Sequence, residues 1–275
     1  MSKASITFSA DGRNHFSIAV QDILSGLAEW RSWGLLSVND LRQRYRRSSI
    51  GQFWITIAIA ANIFGMGLVF SVVFKQPVAA YMPFLGAGLI VWSLLSALVN
   101  ELATAYTSST TYLQSYPGSR AVVVYRVVAR NIIQFGHNLL IMPVLWLAFS
   151  VEVSWAVLLL APGVVLCITN AVWIGLLVGP LSARFRDIPQ LLQQVIALAF
   201  FLTPIMYGPD QVREHMPLIV DYNPVYYFVE MLRAPLLGRA PEVKIYLTVL
   251  AVTLLGYIIS LTFYGLFKRR INYWL

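Results

Sequence analysis

The densest chemistry in the sequence is basic. Arg42, Arg44, Arg46 and Arg47 stand directly before a run from Gly51 to Phe74 that contains no Asp, Glu, Lys or Arg. Guanidinium groups so placed can anchor the end of a membrane-crossing helix among anionic headgroups. They can also attract the phosphate or pyrophosphate of a lipid carrier. Arg44, Arg46 and Arg47 are the residues expected to make that lipid-phosphate or headgroup contact, and the topological anchor is the plainer of the two uses.

Elsewhere the arrangements an enzyme needs are missing. No G-x-x-x-x-G-K-[ST] segment occurs, so any ATP must be hydrolysed on another chain. His15, His137 and His215 lie far apart, no H-E-x-x-H or carboxylate pair accompanies them, and no metal site is expected. Cys167 is the only cysteine and sits in an apolar run, where it reads as a small buried residue. His137 is the one ionisable group well inside a span, and it is expected to hydrogen-bond to a neighbouring helix rather than relay protons. The apolar regions carry aromatics, 13% of the chain, together with Asn62, Thr104, Gln134, Asn138, Asn170, Gln193 and Gln194. Aromatic faces stack on the C–H faces of a pyranose, and amides exchange hydrogen bonds with its hydroxyls. For any one of these residues, ordinary helix packing is the plainer use.

The elements that must position these groups are membrane helices. The 275 residues are 58% hydrophobic and 12% charged, with a mean hydropathy of +0.69, whereas soluble domains run near ~25% charged. A net charge of +8 could suggest nucleic acid, but the basic residues bracket apolar spans instead of covering a folded surface. No nucleic-acid partner is expected. The fold class is therefore all-α: a single polytopic membrane domain over 1–275 with six spans, at about 51–74, 82–100, 127–150, 155–181, 191–207 and 245–267. Residues 1–14 read as a mobile tail and no cleavable signal segment is visible. Residues 15–40, with Val20, Ile23, Leu24, Leu27 and Trp30 at helical spacing, read as a helix lying in the interface. Arg126 and Arg130 open the third span, where they are expected to snorkel.

Between the second and third spans, 104–125 is broken by Tyr116-Pro117-Gly118 and reads as a structured loop. Between the fifth and sixth, 208–240 is Pro-punctuated, and Asn223-Pro224 should open a short amphipathic helix that stops at Pro235. Only Lys75, Arg213, Arg233, Arg239 and Lys244 fall on one side of this layout, against fifteen Lys and Arg on the other. That bias puts both termini in the cytoplasm.

The ordered landmarks resemble the transmembrane permease subunits of type-2 ABC exporters, in the capsule and O-antigen polysaccharide branch. They are Arg44-Tyr45-Arg46-Arg47-Ser48 with Gly51 and Trp54, Tyr116-Pro117 with Tyr125-Arg126 and Arg130-Asn131, and Arg184-Phe185-Arg186-Asp187-Ile188. Phe201-Leu202-Thr203-Pro204-Ile205, Asn223-Pro224 and Arg233-Ala234-Pro235-Leu236 complete the series. Gln52 departs from the pattern, since many relatives place proline after the glycine.

This resemblance implies a homodimer in the bacterial inner membrane, paired with two copies of an ABC ATPase subunit that carries the ATP and Mg, no cofactor being expected on this chain. A lipid-linked polysaccharide would pass between the two copies to the periplasm, where periplasmic or outer-membrane export proteins could receive it. Tyr112, Gln114, Ser115, Tyr116, Pro117, Gly118, Ser119 and Arg120 would form the coupling segment that docks on the ATPase, with Arg184, Arg186 and Asp187 as a second contact. The segment 208–240 would dip back into the membrane as short re-entrant helices, and Tyr207, Tyr222, Tyr226, Tyr227 and Phe228 would line the exit. Export of teichoic acid or a small amphiphile is the alternative. An intramembrane lipid-phosphate or glycosyl-transfer enzyme is a distant one, because no acid–base or metal constellation is present.

Overall fold

The computed structural model describes residues 15–44, 46, 48, 50–51 and 53–275, apart from the side chains of Arg269 and Asn272. The expected tail 1–14, and Tyr45, Arg47, Ser49 and Gln52, lie outside the described residues. Every regular element among those described is helical.

The chain opens with α1, His15–Ala28, and α2, Trp30–Arg44. A single interfacial helix was expected here. Instead the helix turns at Glu29, whose amide still reaches the Ser25 and Gly26 carbonyls at 3.1 and 3.2 Å. Its apolar residues Phe16, Leu24, Leu27 and Trp30 stay exposed, while Ala19, Asp22 and Gly26 pack inward.

Five long apolar helical stretches follow among the described residues: Phe53–Val73 (α3), Val78–Ala103 (α4), Val122–Ala148, Trp155–Arg184 and Val243–Phe267 (α13). Each exceeds the ~20 residues that cross a hydrocarbon core. The third comprises α6, Val122–Leu139, and α7, Ile141–Ala148. The fourth is a 3-10 turn running into α8, Leu160–Arg184. Between α4 and α6 lies the short α5, Thr110–Ser115, and Ile271–Trp274 (α14) closes the chain.

The expected fifth crossing at 191–207 is a shorter helix, α9, Ile188–Leu202, of 15 residues. At 1.5 Å per residue it covers about 22 Å, less than the ~30 Å core. Thr203-Pro204 ends it, because proline supplies no amide to continue the ladder.

The core is built around α4, which packs on α3, α6, α8, α9 and the later α12. Close approach comes from small residues: a Cβ on Gly67 of α3 would fall 2.1 Å from the Met82 sulfur of α4. After α9 come α10, Pro209–His215, α11, Pro217–Asp221, and α12, Pro224–Leu236.

Asn223 caps α12 by accepting from the Val225 amide at 2.9 Å. Pro224 and Val225 line one apolar hollow with Leu95 and Leu98 of α4, well along α4 from its start at Val78. The helix runs one residue past the expected stop at Pro235. There the Arg239 and Gly238 amides reach the Ala234 and Pro235 carbonyls at 2.9 and 3.0 Å. Gly238 takes φ +73°, and a Cβ on it would sit 2.3 Å from the Glu152 carbonyl oxygen. The position thus needs glycine both for the left-handed turn and for packing on the α7–α8 connection.

Candidate functional site

The charged residues gather at two levels. One is the end where α4 and α8 finish and α3 and α6 begin, called here the basic end; the other is the opposite, far end.

At the basic end, α1 is a hub. Asp22 is 4% exposed. Its carboxylate accepts from the Tyr264 hydroxyl at 2.7 Å and pairs with Lys268 Nζ at 2.7 Å. Its backbone carbonyl accepts from Ser119 Oγ at 2.7 Å, and the Arg120 guanidinium donates to the Lys268 carbonyl. Glu29 accepts from the Tyr116 hydroxyl at 3.2 Å and from the Ser119 amide at 3.3 Å. The α5–α6 segment is thereby tied through α1 to the end of α13.

The expected coupling residues divide within this arrangement. Gln114, Ser115, Tyr116, Pro117 and Gly118 are exposed in sequence, whereas Ser119 is buried and Arg120 half-buried. The hydrogen bond to Glu29 holds the Tyr116 phenol above its usual range. Burial pushes Tyr112, stacked on Tyr116 at 5.1 Å, up to about 12. Both rings are therefore neutral at physiological pH, and among the described residues only Tyr116 of the two donates, to Glu29. Arg184, Arg186 and Asp187 are exposed where α8 gives way to α9, and Arg184 lies 5.2 Å over the Trp274 ring.

A second network was not foreseen. Arg126 and Arg130 were expected to snorkel; both instead pair with Asp40 of α2, and Arg130 also reaches Glu101 of α4 at 2.7 Å. The Asn131 amide donates to Glu101 at 2.7 Å, and Arg44 closes the chain at 3.0 Å. Carboxylates within 3 Å of a guanidinium offer charge-assisted hydrogen bonds that outweigh reaching for the headgroups, so both arginines turn inward. Of the expected phosphate contacts, Arg44 is thus matched by a carboxylate, Arg46 is exposed, and Arg47 lies outside the described residues. The available signal was positional: Asp40 and Glu101 lie near the ends of α2 and α4, and Arg126 and Arg130 near the start of α6.

At the far end, Arg233 of α12 is wholly buried. It grips Glu230 through Nε and a terminal nitrogen at 2.8 and 2.6 Å. It also donates to the Pro204 carbonyl at 2.7 Å and lies 4.4 Å over the Phe84 ring. One side chain therefore fastens α12 to α4 and to the break after α9. Tyr81 adds a bond to the Met206 carbonyl at 2.7 Å.

The five exit aromatics do not share one wall. Tyr226 and Tyr227, edge to face at 5.6 Å, line a polar hollow of about 200 Å³ with Arg213, Glu230 and Lys244. Phe228 faces the apolar hollow beside Leu95. Tyr222 borders a third beneath Leu202, and Tyr207 bonds the Phe201 carbonyl at 2.7 Å. His137, expected to bond across to another helix, is placed 2.8 Å from its own helix's Ile133 carbonyl.

The family model described as ABC-2 type transporter matches residues 31–237. Among curated relatives, the O-antigen export system permease protein RfbA of Myxococcus xanthus is 26% identical over 188 residues, covering 68% of this chain and 72% of that protein. An O-antigen export system permease protein RfbA of Klebsiella pneumoniae is 25% identical over 250 residues, covering 86% and 90%. A further Klebsiella pneumoniae protein of that name is 22% identical over 195 residues, covering 70% and 74%.

Proposed function

Because the chain belongs to the ABC-2 type transporter family, we propose that it is the membrane permease subunit of an ATP-driven exporter that moves a lipid-linked polysaccharide of the O-antigen kind from cytoplasm to periplasm. The observation that carries this reading is that relatives named O-antigen export permeases align with as much as 86% of the chain. The basic end then faces the cytoplasm, as the Lys and Arg bias requires. The exposed strip Gln114–Gly118 docks on a separate ABC ATPase, with Arg184, Arg186 and Asp187 beside it. ATP and Mg are bound there and not on this chain.

The finer architecture rests on helices that pack on α4 along one side and leave the other side uncovered. No residue of α9 is buried, and α3 buries only Thr56, Ile63, Gly67 and Ser71. Exposed Gln193 and Gln194 are costly against lipid tails. A second copy facing α9 and α3 encloses a channel in which these amides meet sugar hydroxyls. Extended by Thr203–Tyr207, α9 makes the sixth crossing. The segment from α10 to α12 re-enters from the periplasmic side, its irregular backbone tolerated because it is packed in protein.

Deletion of this chain alone, with the glycosyltransferases intact, tests the function. Lipid-linked polymer should accumulate inside the cell and surface O-antigen should vanish on immunoblots. Undiminished surface polymer would sink the reading, and loss of teichoic acid or of an exported amphiphile instead would replace it.

A further inference from the structure

A cavity of about 190 Å³ lies between α3, α4 and α6, near the basic end but inside the helix bundle. Helix α6 presents Asn131, Gln134 and Asn138 to it, at spacings of three and seven that share one face. From α4 come Ser93, Ala97 and Glu101, and Ile55 and Ile59 of α3 close the third side. Part of the wall is amide, hydroxyl and carboxylate, with Arg44 also lining it, and the rest is apolar, Leu94 and Phe135 joining the isoleucines; lipid tails in such a segment offer no hydrogen bonds.

The polar groups are held in place yet not exhausted. Thr56 Oγ1 donates to Asn138 Oδ1 at 3.1 Å, and the Asn138 amide reaches Ser93 Oγ only at 3.5 Å. Asn131 gives its amide to Glu101 at 2.7 Å and to the Val127 carbonyl at 2.9 Å. Gln134 makes no hydrogen bond to any described residue. A half-buried amide with two donors and an acceptor open is unfavourable there unless something polar meets it.

Charge says what that occupant is. Among the described residues that line the cavity the one cation is Arg44, and Glu101 already binds it at 3.0 Å and Arg130 at 2.7 Å, so the lining holds no unmatched cation to draw a phosphate inward. The remaining groups suit a neutral ligand dense in hydroxyls, each able to give and take a hydrogen bond. The space equals about six waters at ~30 Å³ each, room for one ring and not for an oligomer.

We propose that this cavity is a subsite for a single neutral sugar residue carried on a lipid, entered from the inner leaflet past the Arg44–Glu101 pair. The natural ligand's identity rests on the exporter reading; the preference for a sugar headgroup does not.

Native mass spectrometry of the full chain, purified with monoglucosyl diacylglycerol, diacylglycerol and phosphatidylglycerol in equal amounts, reads that preference directly. The unaltered protein should retain the glucosyl lipid about fivefold over diacylglycerol, as one or two net hydrogen bonds allow. Gln134→Leu removes the open amide without breaking an internal bond, and Ala97→Leu fills the space while leaving every polar group; both should abolish the excess. Equal retention of the three lipids, a preference for phosphatidylglycerol, or an excess unchanged in both variants would overturn the proposal, the last two pointing to a phosphate site and a water-filled hollow. Intact O-antigen export after deletion of the chain, alongside a retained glucosyl preference, would count against the exporter reading and leave the subsite standing.

Discussion

Arg233 sets the terms at the residue scale, because nothing about it except its neighbours permits a fully buried guanidinium. Two of its nitrogens are taken by Glu230 and a third by the Pro204 carbonyl. Arg233→Met keeps much of the stem but leaves a carboxylate and a carbonyl unpaired, a loss of about 3–5 kcal/mol for a buried pair. The variant should lose its monodisperse peak in size-exclusion runs after heating at clearly lower temperatures than the parent. Arg233→Lys should not restore it, since a point charge cannot form the fork. Melting of Arg233→Met at the parental temperature would refute this role. The sequence showed an arginine followed by Ala-Pro-Leu and the Glu230 three residues earlier, yet not the depth, which depends on where Pro204 and Phe84 end up. Arg126 and Arg130 teach the same lesson from the other side. Snorkelling was reasonable from position alone, and only the fold brings Asp40 and Glu101 within reach.

At the scale of elements, what could be read from sequence was the local pattern: uncharged runs gave α3, α4, α8 and α13, and Asn223-Pro224 gave the start of α12. The ties of α1 could not be read, because its partners lie 97 and 242 residues away in Ser119 and Tyr264. These ties make α1 the strap between the proposed ATPase-docking segment and the last span. Asp22→Ala removes the carboxylate that both Tyr264 and Lys268 use. Hydrogen exchange of residues 15–28 should speed up by about an order of magnitude per ~1.4 kcal/mol of lost anchoring, while exchange in α4 stays slow. Unchanged exchange in α1 would show that its apolar packing suffices. If the strap transmits movement, the same variant should keep ATP hydrolysis by the purified complex and reduce polymer export.

For the whole molecule, the informative surface is the one the single chain does not cover. A membrane helix can leave the apolar side chains of its outer face to lipid, and α13 leaves Leu247, Leu254 and Ile258 exposed. Helix α9 is different in leaving Gln193 and Gln194 exposed beside Leu191, Val195 and Leu198, and in being too short to cross by itself. The exposed amides are accounted for if α9 meets its own counterpart across a twofold axis, where they can pair with each other or with a passing glycan. Replacing the single cysteine by Cys167→Ser and introducing Gln194→Cys should give a cross-linked dimer in membranes treated with a short bifunctional maleimide. Leu254→Cys on α13, a lipid-facing control, should give little. Dimer formation at 254 with none at 194 would move the interface to another face and remove the channel from between the α9 helices. Cross-linking at 194 that weakens when polymer synthesis is switched on would place the glycan between the two copies.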